Sequence, residues 1–520
     1  MRKFFKPIGI GGASALISVT SLLSYIIGLF RDRIIAVNFG TSDATDTFYA
    51  SFLIPDMLFN LFIAGALSAA FLPVFTHYLG KDKKEAQIIA STMLTGASIL
   101  IIFLAVISFI FMESIIPIAF PDASPTMQNN IINVTRLILP SAILFAISNT
   151  LGNILMSYRH FLAYSLSPIL YNFGIILGVS IFADKIGIYS AAIGVLIGAT
   201  MHCAMRIFDI FNTDYRYEPK LELRHPGFKK ILKLMIPKSI SLIAWQLNLY
   251  IYAVIGIRII EGGLAAFNFA RNIQSVAVSL FGIAFATAVF PHLTSTISEN
   301  NKTAYTEHIR KTAQRILFFT VPAMVGVALL ADPIVALILK GGVFNEKSVE
   351  MTSVILLYFA ISIPFESLVH ILARAFYAMQ NTLKPMLINI TAMTIIALIT
   401  IFIAPKFGYK WFSIGFSIGL MVQVLLLTTF LSRYMENFKL KEFSKSLGKT
   451  ALASVVMAIT IYFSFRLGNI ITDNILTVMQ IAIGGAIYLI TAALLKSKEI
   501  TSIKYVLDRI FKKSTYEKTD

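Results

Sequence analysis

The sequence predicts an all-α polytopic membrane protein. It would have about fourteen transmembrane helices, arranged as two parallel pseudo-repeated six-helix lobes plus two C-terminal helices. Two observations carry the class and a third the arrangement. The 520 residues are 57% hydrophobic and only 14% charged, with a mean hydropathy of +0.77, whereas a soluble domain carries about 25% charged residues. Uncharged runs long enough to cross a bilayer recur along the whole chain. Motifs in the first part return in the same order in the second. This composition excludes a soluble enzyme and a disordered chain, because so much apolar side chain would leave large exposed patches in water. The single cysteine, Cys203, excludes an internal disulfide and any cysteine-based zinc or iron–sulfur site.

A helix needs about 20 mostly apolar residues to cross the hydrocarbon core. The runs 7–30, 57–80, 86–112, 137–158 and 161–183 reach that length without an Asp, Glu, Lys or Arg. Next, 186–205 and 235–257 hold at most one charge each, 272–298 none, and 316–339 and 351–373 one each. The runs 386–405 and 411–432 are uncharged, 447–465 holds one charge, and 474–495 none. The N-terminal MRKFFK is signal-like, but the apolar run behind it is 24 residues long. A signal h-region has about 7–15, so 7–30 is read as a retained first span.

An even number of spans puts both termini on one side. Lys and Arg accumulate in cytoplasmic loops. With the N-terminus inside, 31 of the 44 fall on the cytoplasmic side and 7 on the other, which assigns both termini to the cytoplasm.

Gly65–Pro73 (GALSAAFLP) returns as Gly282–Pro291 (GIAFATAVFP), Pro168-Ile-Leu-Tyr-Asn172 as Pro385-Met-Leu-Ile-Asn389, and Pro140 before a span as Pro364. The offsets are 217 to 224 residues, or six spans, so the halves are expected to be parallel copies. Such lobes are a frequent frame for alternating access, with the substrate between them. The expected division is 1–215 for the first lobe, 216–440 for the second, 441–497 for the last two spans and 498–520 for a basic cytoplasmic tail.

Charged side chains within spans are costly and usually face a cavity or a partner. Arg31-Asp32-Arg33 interrupts an apolar stretch that resumes at Ile34, so the first helix is expected to continue past it. Asp46 and Asp56 flank the start of the second span, and Arg271 interrupts the otherwise uncharged 262–297. Arg31 and Arg271 are the candidate binding pair, because a guanidinium stays charged when buried and grips phosphate with two parallel bonds. Asp32 and Asp46 are the expected supporting acids. The competing reading makes Arg31 structural glue with either acid, and Arg271 a side chain snorkelling to an interface. Glu366 and Arg374 share one face of their span.

No phosphate-binding loop, paired-histidine zinc motif or nucleophile elbow is found in the sequence, which speaks for a transporter rather than an enzyme. No cofactor and no metal site is expected. Nor is a nucleic-acid partner, since the net charge of +17 is accounted for by the loop bias.

At Arg31–Gly40, Ala44–Phe52 and Gly65–Pro73 the chain resembles the MurJ (MviN) family of lipid II flippases, within the multidrug/oligosaccharidyl-lipid/polysaccharide exporter superfamily. Phe269-Ala-Arg271, Gly282–Pro291, Gly342–Phe344 and Thr382–Pro385 extend the likeness over nearly the whole chain. The resemblance implies movement of undecaprenyl-pyrophosphate-linked peptidoglycan precursor, lipid II, from the cytoplasmic to the outer leaflet of the bacterial cytoplasmic (inner) membrane. It implies roles for Arg31, Asp32, Asp46 and Arg271, and a lipid-tail groove in the last two spans. The expected partners are the lipid-linked precursor, membrane lipids and the cell-wall synthesis machinery. The chain departs from the family pattern at Tyr25, Phe59, Ala64, Ala270 and Gln274, and at Tyr252, where some members carry a sodium-binding acid. The alternatives are an exporter of another lipid-linked oligosaccharide or amphipathic small molecule, and a transport-dead cell-wall scaffold.

The charge asymmetry makes a direct prediction about topology. In a Cys203→Ser background, Ser124→Cys and Ile470→Cys should react with an impermeant thiol reagent from outside the cell, and Glu222→Cys and Leu440→Cys should not. The opposite labelling pattern would reverse the orientation.

Overall fold

The computed structural model describes residues 10–60, 65–465 and 473–500, and the named elements are all helical. Ala64, position 470 and most of the 498–520 tail lie outside the described residues. The first half contains α1 (Ile10–Phe39), α2 (Asp43–Ser51), α3 (Leu53–Phe59) and α4 (Gly65–Leu79). It continues with α5 (Lys83–Ala119), α6 (Pro125–Ile138), α7 (Pro140–Ser157), α8 (Leu162–Ile186) and α9 (Tyr189–Ile210). The second contains α10 (Pro226–Ile259), α11 (Gly263–Ala277), a π turn (Val278–Ile283), α12 (Ala284–Ser298), α13 (Lys302–Leu329) and α14 (Ala331–Leu339). After these come α15 (Glu346–Ala360), α16 (Ser362–Ala378), α17 (Leu383–Phe402), α18 (Ala404–Phe407) and α19 (Lys410–Ser432). The chain ends on α20 (Leu440–Ser464) and α21 (Asp473–Leu494).

Among the described residues eleven helices are long and apolar enough to span a membrane, and a bent pair, α15 and α16, makes a twelfth. The remaining two expected spans correspond to α1 and to α3 with α4, between which residues 61–64 lie outside the described residues. As expected, α1 continues through Arg31-Asp32-Arg33 as one helix of 30 residues.

The breaks recur at matching places in the two halves. Proline has no N–H to donate, and its ring crowds the carbonyl four residues back. Pro140 opens α7 directly after α6, and Pro364 sits in the first turn of α16, which is bent by 46° from α15. Pro73 and Pro291 sit inside α4 and α12, so the second repeat motif also lies in equivalent helices. Pro322 inside α13 leaves the Phe318 carbonyl without its helical donor, and the Tyr488 hydroxyl of α21 donates to it instead. Phe318, Met457 and Tyr488 are the centre of the apolar core that joins α13, α20 and α21.

The chain forms two compact units: Met1–Phe269 with Ile338–Ser348 and Thr400–Tyr409, and Ala270–Leu337 with Val349–Ile399 and Lys410–Asp520. The first unit therefore extends to Phe269. The reason is α10, which packs on α2, α3, α4 and α5. Its Tyr250 hydroxyl donates to the Ala119 carbonyl at the end of α5.

Within the first unit the segment after α14 docks on α1. The Val343 N–H donates to the Val37 carbonyl, 2.9 Å away. Gly342 has a φ of 51°, and a Cβ there would lie 2.3 Å from the Val37 oxygen, so both conformation and space require glycine. The tightest contact in this unit is between α8 and α9. A Cβ on Gly174 would sit 2.3 Å from the Gly198 Cα, and one on Gly178 would sit 2.4 Å from the Gly194 Cα. Small residues permit such approach, and in lipid, packing of this kind holds helices together.

The glycine environments predict opposite outcomes for one substitution. Gly178→Ala has no room and should lower stability by about 1–3 kcal/mol, the usual cost of overpacking. Gly485 faces open space within α21, so Gly485→Ala should be neutral or gain up to about 1 kcal/mol from reduced chain entropy. Thermal unfolding of the purified variants in detergent checks this, and equal melting temperatures would show that the α8–α9 contact is loose.

Candidate functional site

In the first unit Arg31 lies two turns before the end of α1. Its Nε and Nη2 donate to Oδ1 of Asp32 at 3.0 and 2.7 Å, and Nη1 donates to Oδ1 of Asn172 on α8 at 2.9 Å. Neighbouring residues on a helix do not ordinarily face one another. Here the arginine stem folds back along the helix so that its fork reaches the next carboxylate. The Asp32 side chain is buried, at 2% exposure, while that of Arg31 keeps 22%. A buried acid therefore anchors an arginine whose side chain keeps partial exposure. Arg33 turns elsewhere and donates to the Ile338 carbonyl, 2.8 Å away, near the end of α14. Tyr49 is within electrostatic reach of Arg31, Asp32 and Asp46, and its buried hydroxyl has no hydrogen-bond partner among the described residues.

Asp46 does not bond to Arg31. Its Oδ2 accepts from the Gly262 N–H at 2.9 Å and its Oδ1 from the Ala265 N–H at 2.7 Å. These are orphan donors at the start of α11, where a carboxylate also meets the positive end of the helix dipole. This corrects the expectation that Asp46 helps to hold the arginine. It fixes the origin of the helix that carries Arg271 further along.

In the second unit Arg271 makes the bidentate contact expected of arginine, but with a protein carboxylate. Nη1 and Nη2 donate to Oε2 and Oε1 of Glu366 on α16 at 2.9 and 2.6 Å. Gln274, one turn along α11, accepts from Arg271 Nη1 through its Oε1. Its amide donates to Glu366 Oε2 and to the Ser362 hydroxyl, both at 3.0 Å. The guanidinium lies over the Phe416 ring at 4.7 Å and near Phe359 at 6.0 Å. Side-chain exposures are 19% for Arg271 and 15% for Glu366, so the pair stays reachable from one edge.

Glu366 and Arg374, which share a face in the sequence, have separate partners: Arg374 bonds to the His370 carbonyl and the Thr287 hydroxyl. Arg136 is paired with Glu113 at 3.2 Å and lies over Phe109. Tyr252 is a packed aromatic, 2% exposed and stacked on Phe267 at 4.3 Å. Asn172 and Glu366 are the site residues that sequence reasoning passed over. Asn172 was visible only as the last position of a repeat motif, whose counterpart Asn389 accepts from Gln423. Glu366 was visible as an intramembrane acid, but its partner is 95 residues away.

Paired charges inside apolar helices, with matching proline breaks in the two sequence halves, suit a membrane transporter. A family model described as "Lipid II flippase MurJ" matches residues 35–479. The chain belongs to the MurJ family of lipid II flippases. It is 27% identical over 488 residues to the probable lipid II flippase MurJ of Buchnera aphidicola subsp. Schizaphis graminum, covering 91% of this chain and 94% of that one. It is 27% identical over 430 residues to the lipid II flippase MurJ of Burkholderia cenocepacia, covering 79% and 82%. Among solved structures, a lipid II flippase MurJ in an inward closed conformation superposes with a TM-score of 0.79 at 26% identity, covering 92% of this chain and 98% of that one. A multidrug resistance MATE family transporter matches at 0.67 and 18% identity, which shares the fold.

The Asp46 cap generates a stability prediction. Asp46→Ala should cost about 2 kcal/mol or more, since it removes a cap and leaves two buried N–H groups unanswered. Asp46→Asn keeps one good acceptor and should lose less. Denaturant or thermal unfolding reads the order wild type, Asn, Ala; an alanine variant as stable as the wild type would remove Asp46 from this role.

Proposed function

We propose that this flippase carries the pyrophosphate of lipid II on Arg31 and Arg271, one from each sequence half, as the head group passes from the cytoplasmic to the outer leaflet by alternating access. The single observation that carries this reading is the state of the two arginines. Each is fixed by a buried or half-buried carboxylate and yet keeps about a fifth of its side chain exposed. A purely structural ion pair in an apolar helix gains nothing from remaining open.

Asp32 and Glu366 orient the forks, and Asn172 and Gln274 hold them from the side. A phosphate oxygen arriving at Arg271 competes with Glu366 for the same N–H groups, so the carboxylate acts as an exchangeable placeholder. At Arg31 the orphaned Tyr49 hydroxyl offers a further donor. Gln274 stands where the family usually has a glutamate. An amide there adds no second negative charge beside Arg271 and so keeps the fork available to an anion.

The working units in this reading are the sequence halves 1–215 and 216–440, with α20 and α21 in 441–497 receiving the lipid tail. Both termini face the cytoplasm of a bacterium whose inner membrane holds the protein.

Complementation of a flippase-depleted bacterium tests the assignment. Arg31→Ala and Arg271→Ala should each fail to support growth while the protein remains in the membrane. Loss of a charge-assisted contact of about 1.5–3 kcal/mol corresponds to a roughly 10- to 150-fold loss in head-group affinity. Arg→Lys should rescue in part, because an ammonium cannot supply the paired bonds. Growth of both alanine variants at the wild-type rate would make the arginines structural.

A further inference from the structure

A second charged site lies in the second unit, and its lining includes none of Arg271, Gln274 and Glu366. A cavity of about 650 Å³ opens between the first half of α13, the first turns of α20 and the residues that follow α21. Eight cationic side chains and three carboxylates line it. The loop bias toward Lys and Arg explains their sign, but not their convergence on one cavity.

The frame of this cavity is fixed by hydrogen bonds across three elements. Arg310, 5% exposed at its side chain, is held by Glu307 at 2.7 Å and Glu442 at 3.2 Å. Gln314 donates to the Glu442 carbonyl, tying α13 to α20. The Ser446 hydroxyl donates to Glu499, and Lys449 Nζ to the Lys496 carbonyl, tying α20 to the segment after α21. Glu307 and Glu442 are each shared by a second cation, and Glu499 is taken by the serine. The carboxylates are therefore spent on the frame. Arg315, Lys445 and Lys496 line the same cavity with no ion pair among the described residues.

Lys496 follows α21 in the left-handed region, with a φ of 53°. Helices commonly close there with glycine, because any Cβ is strained in that conformation. A lysine at this position adds an ammonium to the cavity. Close by, Leu452, Val455 and Leu494 expose 52%, 53% and 77% of their surface. They mark where the apolar faces of α20 and α21 begin, so the cavity borders an exposed apolar surface.

We infer that this cavity binds a multiply charged phosphate group, from the head group of an anionic membrane lipid or from a soluble polyphosphate. The site is independent of the transport arginines.

The test uses the full chain carrying Arg31→Ala and Arg271→Ala, so that the proposed transport site does not contribute. One arm titrates sodium pyrophosphate by calorimetry. The other measures retention of phosphatidic acid, whose phosphomonoester carries up to two charges, against phosphatidylcholine by native mass spectrometry. Binding in the first arm alone identifies a soluble phosphate, and selective retention in the second identifies a lipid. In either case binding should weaken as salt rises. It should fall roughly tenfold or more in Lys445→Glu/Lys496→Glu, since each cation near a membrane surface is worth about 1 kcal/mol and each is here reversed. Lys496→Gly should bind more weakly while melting no lower than the parent, which separates binding from folding. Absence of both probes from the parent protein, or undiminished binding by the double variant, overturns the site.

Discussion

A charge placed between apolar helices has no water to answer it, so the protein must provide its counterpart from elsewhere in the chain. This requirement shapes both halves of the molecule. Arg31 is met by the next residue on its own helix and by an amide on α8. Arg271 is met by a carboxylate on α16 and by an amide one turn away. The solutions share a plan, guanidinium plus acid plus amide, although the acid arrives by different routes. The same demand governs the backbone. Asp46 answers the bare N–H groups where α11 begins, and Tyr488 answers the carbonyl exposed by Pro322. In lipid these are conditions of folding rather than refinements, since each unanswered group costs several kcal/mol.

Much of this was legible in the sequence, and the boundary of legibility has a physical cause. Span positions follow from local hydropathy, which is why the fourteen expected spans fall on observed helices or helix runs. The breaks at Pro140 and Pro364 follow from the missing N–H of proline, also a local property. Arg31 and Arg271 stood out because charge in an apolar run is visible without knowing the fold. Their partners are different. Nothing local links Arg271 to Glu366, and helical spacing pointed instead to Arg374, on the same face as Glu366. Asp46 drew attention as an acid near Arg31, whereas its acceptors are claimed by backbone groups more than two hundred residues away. A side chain's identity announces that it needs a partner, and only the fold decides which one it gets.

The departures from the family pattern become easier to interpret with these contacts in view. Gln274 is a working member of the Arg271 cluster, accepting from the guanidinium and donating to Glu366 and Ser362. One negative charge then balances one positive charge. Tyr252, in place of an acid, is absorbed into aromatic packing with Phe267. The amide at 274 lowers the number of carboxylates around Arg271 without leaving its guanidinium unsupported.

The bond between Tyr488 and the Phe318 carbonyl restricts how the last two helices can move. If α21 slid along α13 by even one turn, the hydroxyl would leave its acceptor and a carbonyl would stand bare in hydrocarbon. Axial sliding is therefore expensive. Arg310 and Gln314 of α13 hold Glu442 of α20 at the other end of the contact. Between these two attachments the helix pair keeps one axial register against α13.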